Sequence, residues 1–201
     1  LATVWQLGCG GGGSDGSTSG VEPITISPDT VVTQCGAYRG SLEFGVVSCK
    51  GIPYAKPPVG SLRWQPPSAS DCEPDTRDAI DFGAACAQFD DDGGVLSLSE
   101  DCLFLNVWTP ATEFPSQLHR PVLFFIHGGG NQRGSPSQQQ LGVSLYDGAR
   151  LAATSDAIVI TVGYRLGALG FLAHPALSSE NTQQRSGNYG LLDQLAALQW
   201  V

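Results

Sequence analysis

The residue types best suited to chemistry lie together after one apolar run. Gly128, Gly129 and Gly130 follow His127 at the carboxyl end of the segment Val122–Ile126. In an open α/β sheet, ligands bind outside the carboxyl ends of the strands. Glycine lets backbone N–H groups approach a ligand closely, and two such donors aimed at one point would stabilise negative charge on a carbonyl oxygen under attack.

The structural alternative for these glycines is a tight turn that leaves the strand. A phosphate-binding loop is excluded, because the sequence contains neither G-x-x-x-x-G-K-[ST] nor G-x-G-x-x-G followed by a helix. The segments around the glycines must therefore decide between a turn and an anion site.

The elements that would position the glycines alternate between strand and helix. VLFFI predicts a strand, LYDGARLAAT a helix, AIVITVGYR a strand and NYGLLDQLAALQWV a helix. This order predicts a parallel sheet with helices packed on it, and both strands are expected to be covered on both faces because they are continuously apolar. Asn188 is a candidate N-cap of the last helix. One face of that helix is marked by four leucines, Leu191, Leu192, Leu195 and Leu198.

The sequence before Val122 has a different pattern. From Ile24 to about Trp108, short runs such as ITI, VVT, LEFGVVS and LFLNVW are separated by Pro/Gly turns, which predicts antiparallel strands with little helix. Two parallel strands cannot close a sheet, so we expect the chain to be part of a larger α/β domain.

Composition limits the possible partners. The chain has 201 residues, is 41% hydrophobic and carries a formal charge of −9, which suits a packed core. It has no basic cluster of the kind that follows a phosphate backbone, so nucleic acid is not expected as a partner.

The composition of the first 20 residues predicts a flexible tether rather than a folded segment. LATVWQL, Gly8 and Cys9 precede a Gly/Ser-rich stretch, and this order resembles the end of a bacterial lipoprotein signal in which Cys9 would be lipidated and anchor the protein to a membrane. The alternative is an ordinary secretory signal with an incidental cysteine. Either predicts export, to the cell envelope as a lipoprotein or as a periplasmic or secreted protein. No other apolar run reaches the ~18 residues of a membrane span, so we expect the remainder to be soluble.

The other cysteines agree with an oxidising compartment. There are five, none in a C-x-x-C pair: Cys35, Cys49, Cys72, Cys86 and Cys102. Disulfides are their expected use, with at least one thiol free, or paired outside this chain, if Cys9 is lipidated.

Four blocks together resemble the type-B carboxylesterases, the family that includes the cholinesterases. EDCLFLNVWTP (residues 100–110) agrees at every position with a signature of that family, and HGGG after an apolar strand is the oxyanion-loop motif of α/β-hydrolase lipases and esterases. The blocks GIPYAKPPVGSLRWQPP, GYRLGALGFL and GNYGLLDQLAALQWV follow the family order. The resemblance implies that residues 21–201 form the N-terminal part of an α/β-hydrolase domain, with short antiparallel strands leading into a mainly parallel sheet with flanking helices, truncated before the nucleophile elbow.

The resemblance also implies an activity. It is serine-dependent hydrolysis of a small-molecule ester through an acyl-enzyme, with oxyanion-hole N–H groups from Gly129 and Gly130 and with no cofactor or metal. His127 would orient the loop, and the triad serine, acid and histidine would lie beyond Val201, which leaves this chain inactive alone. The alternative is a cholinesterase-like adhesion module without a working triad. The resemblance does not indicate which ester is hydrolysed or the oligomeric state.

Further residues take structural roles by the same resemblance. It implies a disulfide between Cys86 and Cys102 whose loop borders the active site, and two ion pairs, Glu100 with Arg63 and Asp193 with Arg165. The sequence departs from the family pattern at two positions: Gly163 replaces an asparagine, and Asn131 replaces a common aromatic residue beside the glycines.

Overall fold

The structure, a computed structural model, describes residues 29–72, 74–89, 95–97, 99–111, 120–180 and 184–201. The predicted tether over residues 1–20, the strand at ITI, the beginning of the domain at residue 21 and the lipidation of Cys9 lie outside the described residues.

Most of the described regular structure is β-strand. The strands are β1 (Thr30–Thr33), β2 (Gly36–Arg39), β3 (Ser41–Glu43), β4 (Val46–Pro53), β5 (Arg77–Asp78), β6 (Gln88–Phe89), β7 (Val95–Ser97), β8 (Phe104–Pro110), β9 (Val122–Ile126), β10 (Gln139–Gln140), β11 (Val143–Ser144) and β12 (Ile158–Val162). The α-helices are α1 (Ala149–Ser155), α2 (Gly167–Phe171), α3 (Pro175–Ser179) and α4 (Tyr189–Trp200). A single 3₁₀ turn, Gly60–Leu62, is the helical structure described before residue 108, as the scarcity of helical pattern there predicts.

The central sheet has five strands in the order β3-β4-β8-β12-β9. The pairs β3/β4, β4/β8 and β8/β12 are antiparallel, and β12/β9 is parallel, with Val162 opposite Ile126. The carboxyl ends of β9 and β12 therefore lie side by side. Since β8 runs against β12, its first residues lie at the same edge, where Leu105 pairs with Val162.

The two parallel strands differ in burial. Four of the five residues of β12 are buried, as its apolar sequence predicts. Within the described residues β9 is less covered: Val122, Leu123, Phe125 and Ile126 are each about 40% exposed. The reason is its position: among the described residues β9 pairs with β12 alone and forms the edge of the sheet.

The first helix begins later than the sequence pattern predicts. It starts at Ala149, where the Asp147 carboxylate accepts a hydrogen bond of 2.8 Å from the Ala149 N–H. The residues before it form the β10/β11 hairpin, with Leu141 and Gly142 both at positive φ in its two-residue turn. Positive φ at both central residues is characteristic of a type I′ hairpin.

The last helix buries a different face from the one that its leucines suggest. The buried residues of α4 are Tyr189, Gly190, Asp193 and Ala197, whereas Leu191, Leu195 and Leu198 are about half exposed. Asn188 precedes the helix as predicted, but it has left-handed backbone (φ 59°) and makes no side-chain cap. Its carbonyl oxygen instead accepts bonds from the N–H groups of Leu191 and Leu192.

A buried ion pair fixes the orientation of α4. The guanidinium of Arg165 donates to both carboxylate oxygens of Asp193 at 2.8 and 2.7 Å, and the Arg165 backbone N–H donates to the same carboxylate at 3.0 Å. The two side chains are 3% and 0% exposed. A third guanidinium bond of 2.9 Å reaches the Gln65 carbonyl. Paired charges with their hydrogen bonds satisfied can be buried, so Asp193 lies on the inner face of α4 within the described residues.

The five cysteines among the described residues form two disulfides and leave one free thiol. Cys35 is bonded to Cys72, and Cys86 to Cys102. Cys49 is free and fully buried, and burial raises the pKa of its thiol to about 12. Within the described part of the chain, no helix is long and apolar enough to cross a membrane.

We expect Asp193→Asn in the full-length protein to lower the free energy of unfolding by about 3–5 kcal/mol, because it leaves the Arg165 charge buried without its counter-ion. Urea denaturation measures the loss. Asp78→Asn is the matched control: Asp78 pairs with Arg39 in the open, with side chains 60% and 51% exposed, and such pairs contribute under about 1 kcal/mol. Equal losses in the two variants would contradict this prediction.

Candidate active site

The glycine loop, residues 127–134, leaves the carboxyl end of β9 as a compact turn. The Gly129 carbonyl accepts hydrogen bonds from the N–H groups of Gln132 (3.1 Å) and Arg133 (3.3 Å). Gly129 has φ +116°, and a Cβ there would overlap the carbonyl oxygen of Arg133. The chain can close this turn only with glycine at position 129.

Two donors of the loop are not used by the turn. Within the described residues, neither the Gly129 N–H nor the Gly130 N–H donates a hydrogen bond to another protein group. Both residues line a cleft of about 990 Å³. The other walls of the cleft come from Ala87, Gln88, Phe89, Ser97, Asn131, Gln132, Arg133, Leu166, Gly167, Ala168, Leu169 and Phe171. The loop therefore brings backbone donors to a cleft with apolar and polar walls.

Two contacts from the segment after β12 fix the beginning and the tip of the loop. The Tyr164 hydroxyl donates to the His127 carbonyl at 2.9 Å, and the two rings stack with centroids 4.5 Å apart. The Gly167 N–H donates to the Asn131 carbonyl at 2.7 Å. These contacts follow from the parallel pairing of β9 and β12, which places the two following segments side by side.

A third contact fixes the end of the loop. The Gln88 side chain accepts from the Gly134 N–H at 2.8 Å and donates to the Gly134 carbonyl at 2.9 Å. Its amide nitrogen also donates to the Cys86 carbonyl at 2.9 Å. The glycine loop is thus bonded to the segment that begins at the Cys86–Cys102 disulfide.

His127 is a buried part of this scaffold. Its side chain is enclosed, with the residue 3% exposed, and its Nδ1 lies 2.9 Å from the Gly128 carbonyl. Since a carbonyl oxygen can only accept, this contact requires a proton on Nδ1. Burial lowers the pKa of His127, partly opposed by the Gly128 carbonyl. These contacts fit the loop-orienting role that the family resemblance implies for His127.

The disulfide segment borders the cleft, as the resemblance implies. Cys86 and Cys102 are joined, and three residues just after Cys86 line the cleft together with Ser97. The acidic run Asp90–Gly94 lies outside the described residues.

Both ion pairs implied by the resemblance are present. The Arg63 guanidinium donates two bonds of 2.5 Å to the two oxygens of Glu100, and Arg165 pairs with Asp193. Hydrogen bonding to Glu100 raises the pKa of Arg63 further. None of the four is among the residues that line the cleft, which agrees with a structural role rather than acid–base chemistry.

The two departures from the family pattern have different settings. At Gly163 a Cβ would lie 3.0 Å from the Cys102 carbonyl oxygen and 3.4 Å from that of Phe104, so this chain packs closely where the family has asparagine. Asn131 has left-handed backbone (φ 61°) and lines the cleft beside Gly130.

Sequence reasoning did not identify Gln88, Tyr164 or Gly167 as supports of the loop. Tyr164 and Gly167 lie within the block GYRLGALGFL, so their place in a family block was the available signal. Gln88 carries no comparable local signal, because its partner Gly134 is 46 residues away.

The sheet order and the glycine loop at the carboxyl end of β9 define the class of protein: the chain is part of an α/β-hydrolase fold. It superimposes on the solved structure of a thermophilic pNB esterase with a TM-score of 0.73 and 43% identity, over 87% of this chain and 35% of that one.

The carboxylesterase family model matches residues 27–201, and the chain belongs to that family. It is 46% identical over 179 residues to the para-nitrobenzyl esterase of Bacillus subtilis (strain 168), over 85% of this chain and 34% of the relative. It is 45% identical over 172 residues to the fumonisin B1 esterase of Sphingopyxis macrogoltabida, over 84% of this chain and 30% of the relative. These matches confirm the resemblance, and the chain spans about a third of the length of these relatives.

The lowered pKa of His127 predicts a pH effect on stability. At pH values below the ordinary histidine pKa of about 6.5, the unfolded chain binds a proton that the folded chain still excludes, so this residue makes the free energy of unfolding fall as the pH falls. We expect His127→Gln, which does not titrate, to lessen the fall measured by urea denaturation of the full-length protein between pH 7.5 and 5.5. Parallel pH dependences in variant and wild type would contradict the prediction.

Proposed function

We propose that this chain supplies the oxyanion hole of a serine-dependent carboxylic ester hydrolase whose triad lies in sequence beyond Val201. The observation that carries the proposal is the pair of unengaged N–H groups, at Gly129 and Gly130, on the wall of the cleft. Membership of the carboxylesterase family supports it, as do the printed names of the relatives, which are esterases.

The reaction has two acyl-transfer steps. A serine hydroxyl, deprotonated by a histidine that an acidic residue orients, attacks the ester carbonyl, and the alcohol leaves with the proton that the histidine returns. Water then attacks the acyl-enzyme in the same way and releases the acid. In each step the carbonyl oxygen becomes an oxyanion, which the N–H groups of Gly129 and Gly130 would bind.

The contribution of this chain is preorganisation. Donors that already point at the developing charge need no rearrangement during the reaction, and this is their catalytic advantage. Tyr164, Gly167 and Gln88 bond the loop at its beginning, tip and end, so its donors are fixed before substrate binds. The alternative function, an adhesion module, gives no use to fixed and unengaged donors in a cleft.

We also propose that the protein is exported. The two disulfides, Cys35–Cys72 and Cys86–Cys102, support this, because disulfides persist mainly in oxidising compartments. Lipidation of Cys9 and membrane anchoring through it remain part of the same proposal.

The direct test is hydrolysis of p-nitrophenyl butyrate by the full-length protein, with and without a serine-directed organophosphate. We expect turnover that the organophosphate abolishes, because it phosphorylates the same serine with loss of its leaving group. A folded protein with no turnover on short-chain esters would refute the proposed function and favour the binding module.

The role of the glycine loop is tested by Gly129→Ala. The new methyl group collides with the Arg133 carbonyl and moves the loop, so we expect kcat to fall roughly 10²–10³-fold, the usual effect of losing one oxyanion donor. Gly128→Ala is the matched control, because a Cβ at position 128 meets no atom within 4 Å. If Gly129→Ala kept the turnover of Gly128→Ala, the assigned role would be wrong.

A further inference from the structure

The Gln88 amide connects the glycine loop to a segment 46 residues away in the sequence. Gln88 is 7% exposed and lies two residues after Cys86. Its amide nitrogen donates to the carbonyl oxygens of Gly134 and Cys86, both at 2.9 Å, and its amide oxygen accepts from the Gly134 N–H at 2.8 Å. Both polar atoms of the side chain are therefore satisfied.

The Gln88 side-chain amide exchanges two hydrogen bonds with the Gly134 backbone, as paired residues do in an antiparallel sheet. It satisfies the N–H and the carbonyl of one half-buried turn residue at once, and leaving either group unpaired would cost free energy. A side chain of the same length without polar atoms would fill the same space and make none of these bonds.

Gly134 transmits this constraint to the donors of the loop. Its φ is +114°, and a Cβ there would overlap the His127 imidazole and the Gly128 carbonyl oxygen. The end of the loop thus packs directly against its beginning. A shift of Gly134 toward the beginning of the loop would move His127 or Gly128, and Gly129 and Gly130 follow these residues in the chain.

We propose that Gln88 is a positioning residue of the oxyanion hole. By bonding Gly134 to the residues just after Cys86, it holds Gly129 and Gly130 in place. The inference rests on the proposed function. Gln88 acts through Gly134, and its effect is on the geometry that stabilises the transition state.

Gln88→Met in the full-length protein tests the proposal, because methionine keeps the length and shape of the side chain and removes all three hydrogen bonds. We expect kcat on p-nitrophenyl butyrate to fall roughly 10- to 100-fold with little change in KM, as displacement of a catalytic group by about 1 Å does. The Ki of a trifluoromethyl ketone, which forms a tetrahedral oxyanion on the serine, should rise by the same factor. Gln88→Glu keeps the acceptor for the Gly134 N–H and loses the donor, and we expect it to lower kcat as well. It serves as the test if Gln88→Met fails to fold.

Asn106→Leu separates positioning from a general loss of buried hydrogen bonds. Asn106 is 1% exposed, donates to the Thr161 hydroxyl at 2.9 Å and accepts from the Gly51 N–H at 3.0 Å, away from the glycine loop. The Asn106→Leu variant should have a lower midpoint of urea denaturation and wild-type values of kcat and Ki.

The outcomes are distinguishable. Wild-type kcat and Ki in the folded Gln88 variants would overturn the positioning role and leave the proposed function intact. Equal losses of kcat in Asn106→Leu would also overturn it, since any buried amide would then have the same effect. A wild-type protein without organophosphate-sensitive turnover would overturn the proposed function and this inference together.

Discussion

The Arg165–Asp193 ion pair is the interaction on which the arrangement around the cleft depends. It joins helix α4 to the segment that follows β12, and the guanidinium also binds the Gln65 carbonyl. Tyr164 and Gly167, on either side of Arg165, bond the glycine loop. A charge pair is suited to this place because its geometry is directional and because losing either partner would leave a buried charge. The segment that supports the loop is therefore itself fixed by an interaction that allows one orientation.

In the proposed enzyme, the chemistry that this chain supplies comes from its backbone. The side chains around the glycine loop, those of His127, Tyr164 and Gln88, are engaged in orienting main-chain groups. Apart from proline, no substitution removes a backbone N–H, but the N–H can be displaced, so its position depends on the residues that support the loop.

Much of the fold could be predicted from the sequence, and the exceptions share a cause. The runs VVT, LFLNVW, VLFFI and AIVITV mark strands correctly because local apolar pattern determines them. The glycine loop and the two ion pairs were identified because family blocks carry them. The buried face of α4, the exposure of β9 and the contact of Gln88 with Gly134 could not be predicted, because each depends on which distant segment lies opposite. The periodicity of apolar residues predicts one helix or strand at a time, whereas these features depend on contacts between two segments.

The Cys86–Cys102 disulfide has a consequence for how such an enzyme can diversify. Gln88 lies two residues after Cys86, at the beginning of the segment that the disulfide closes, and its side chain makes the bonds to the glycine loop. Phe89, the next residue, lines the cleft and takes no part in those bonds. In the proposed enzyme, an exchange of Phe89 can therefore change the shape offered to a substrate while the bonds that hold the glycine loop stay in place.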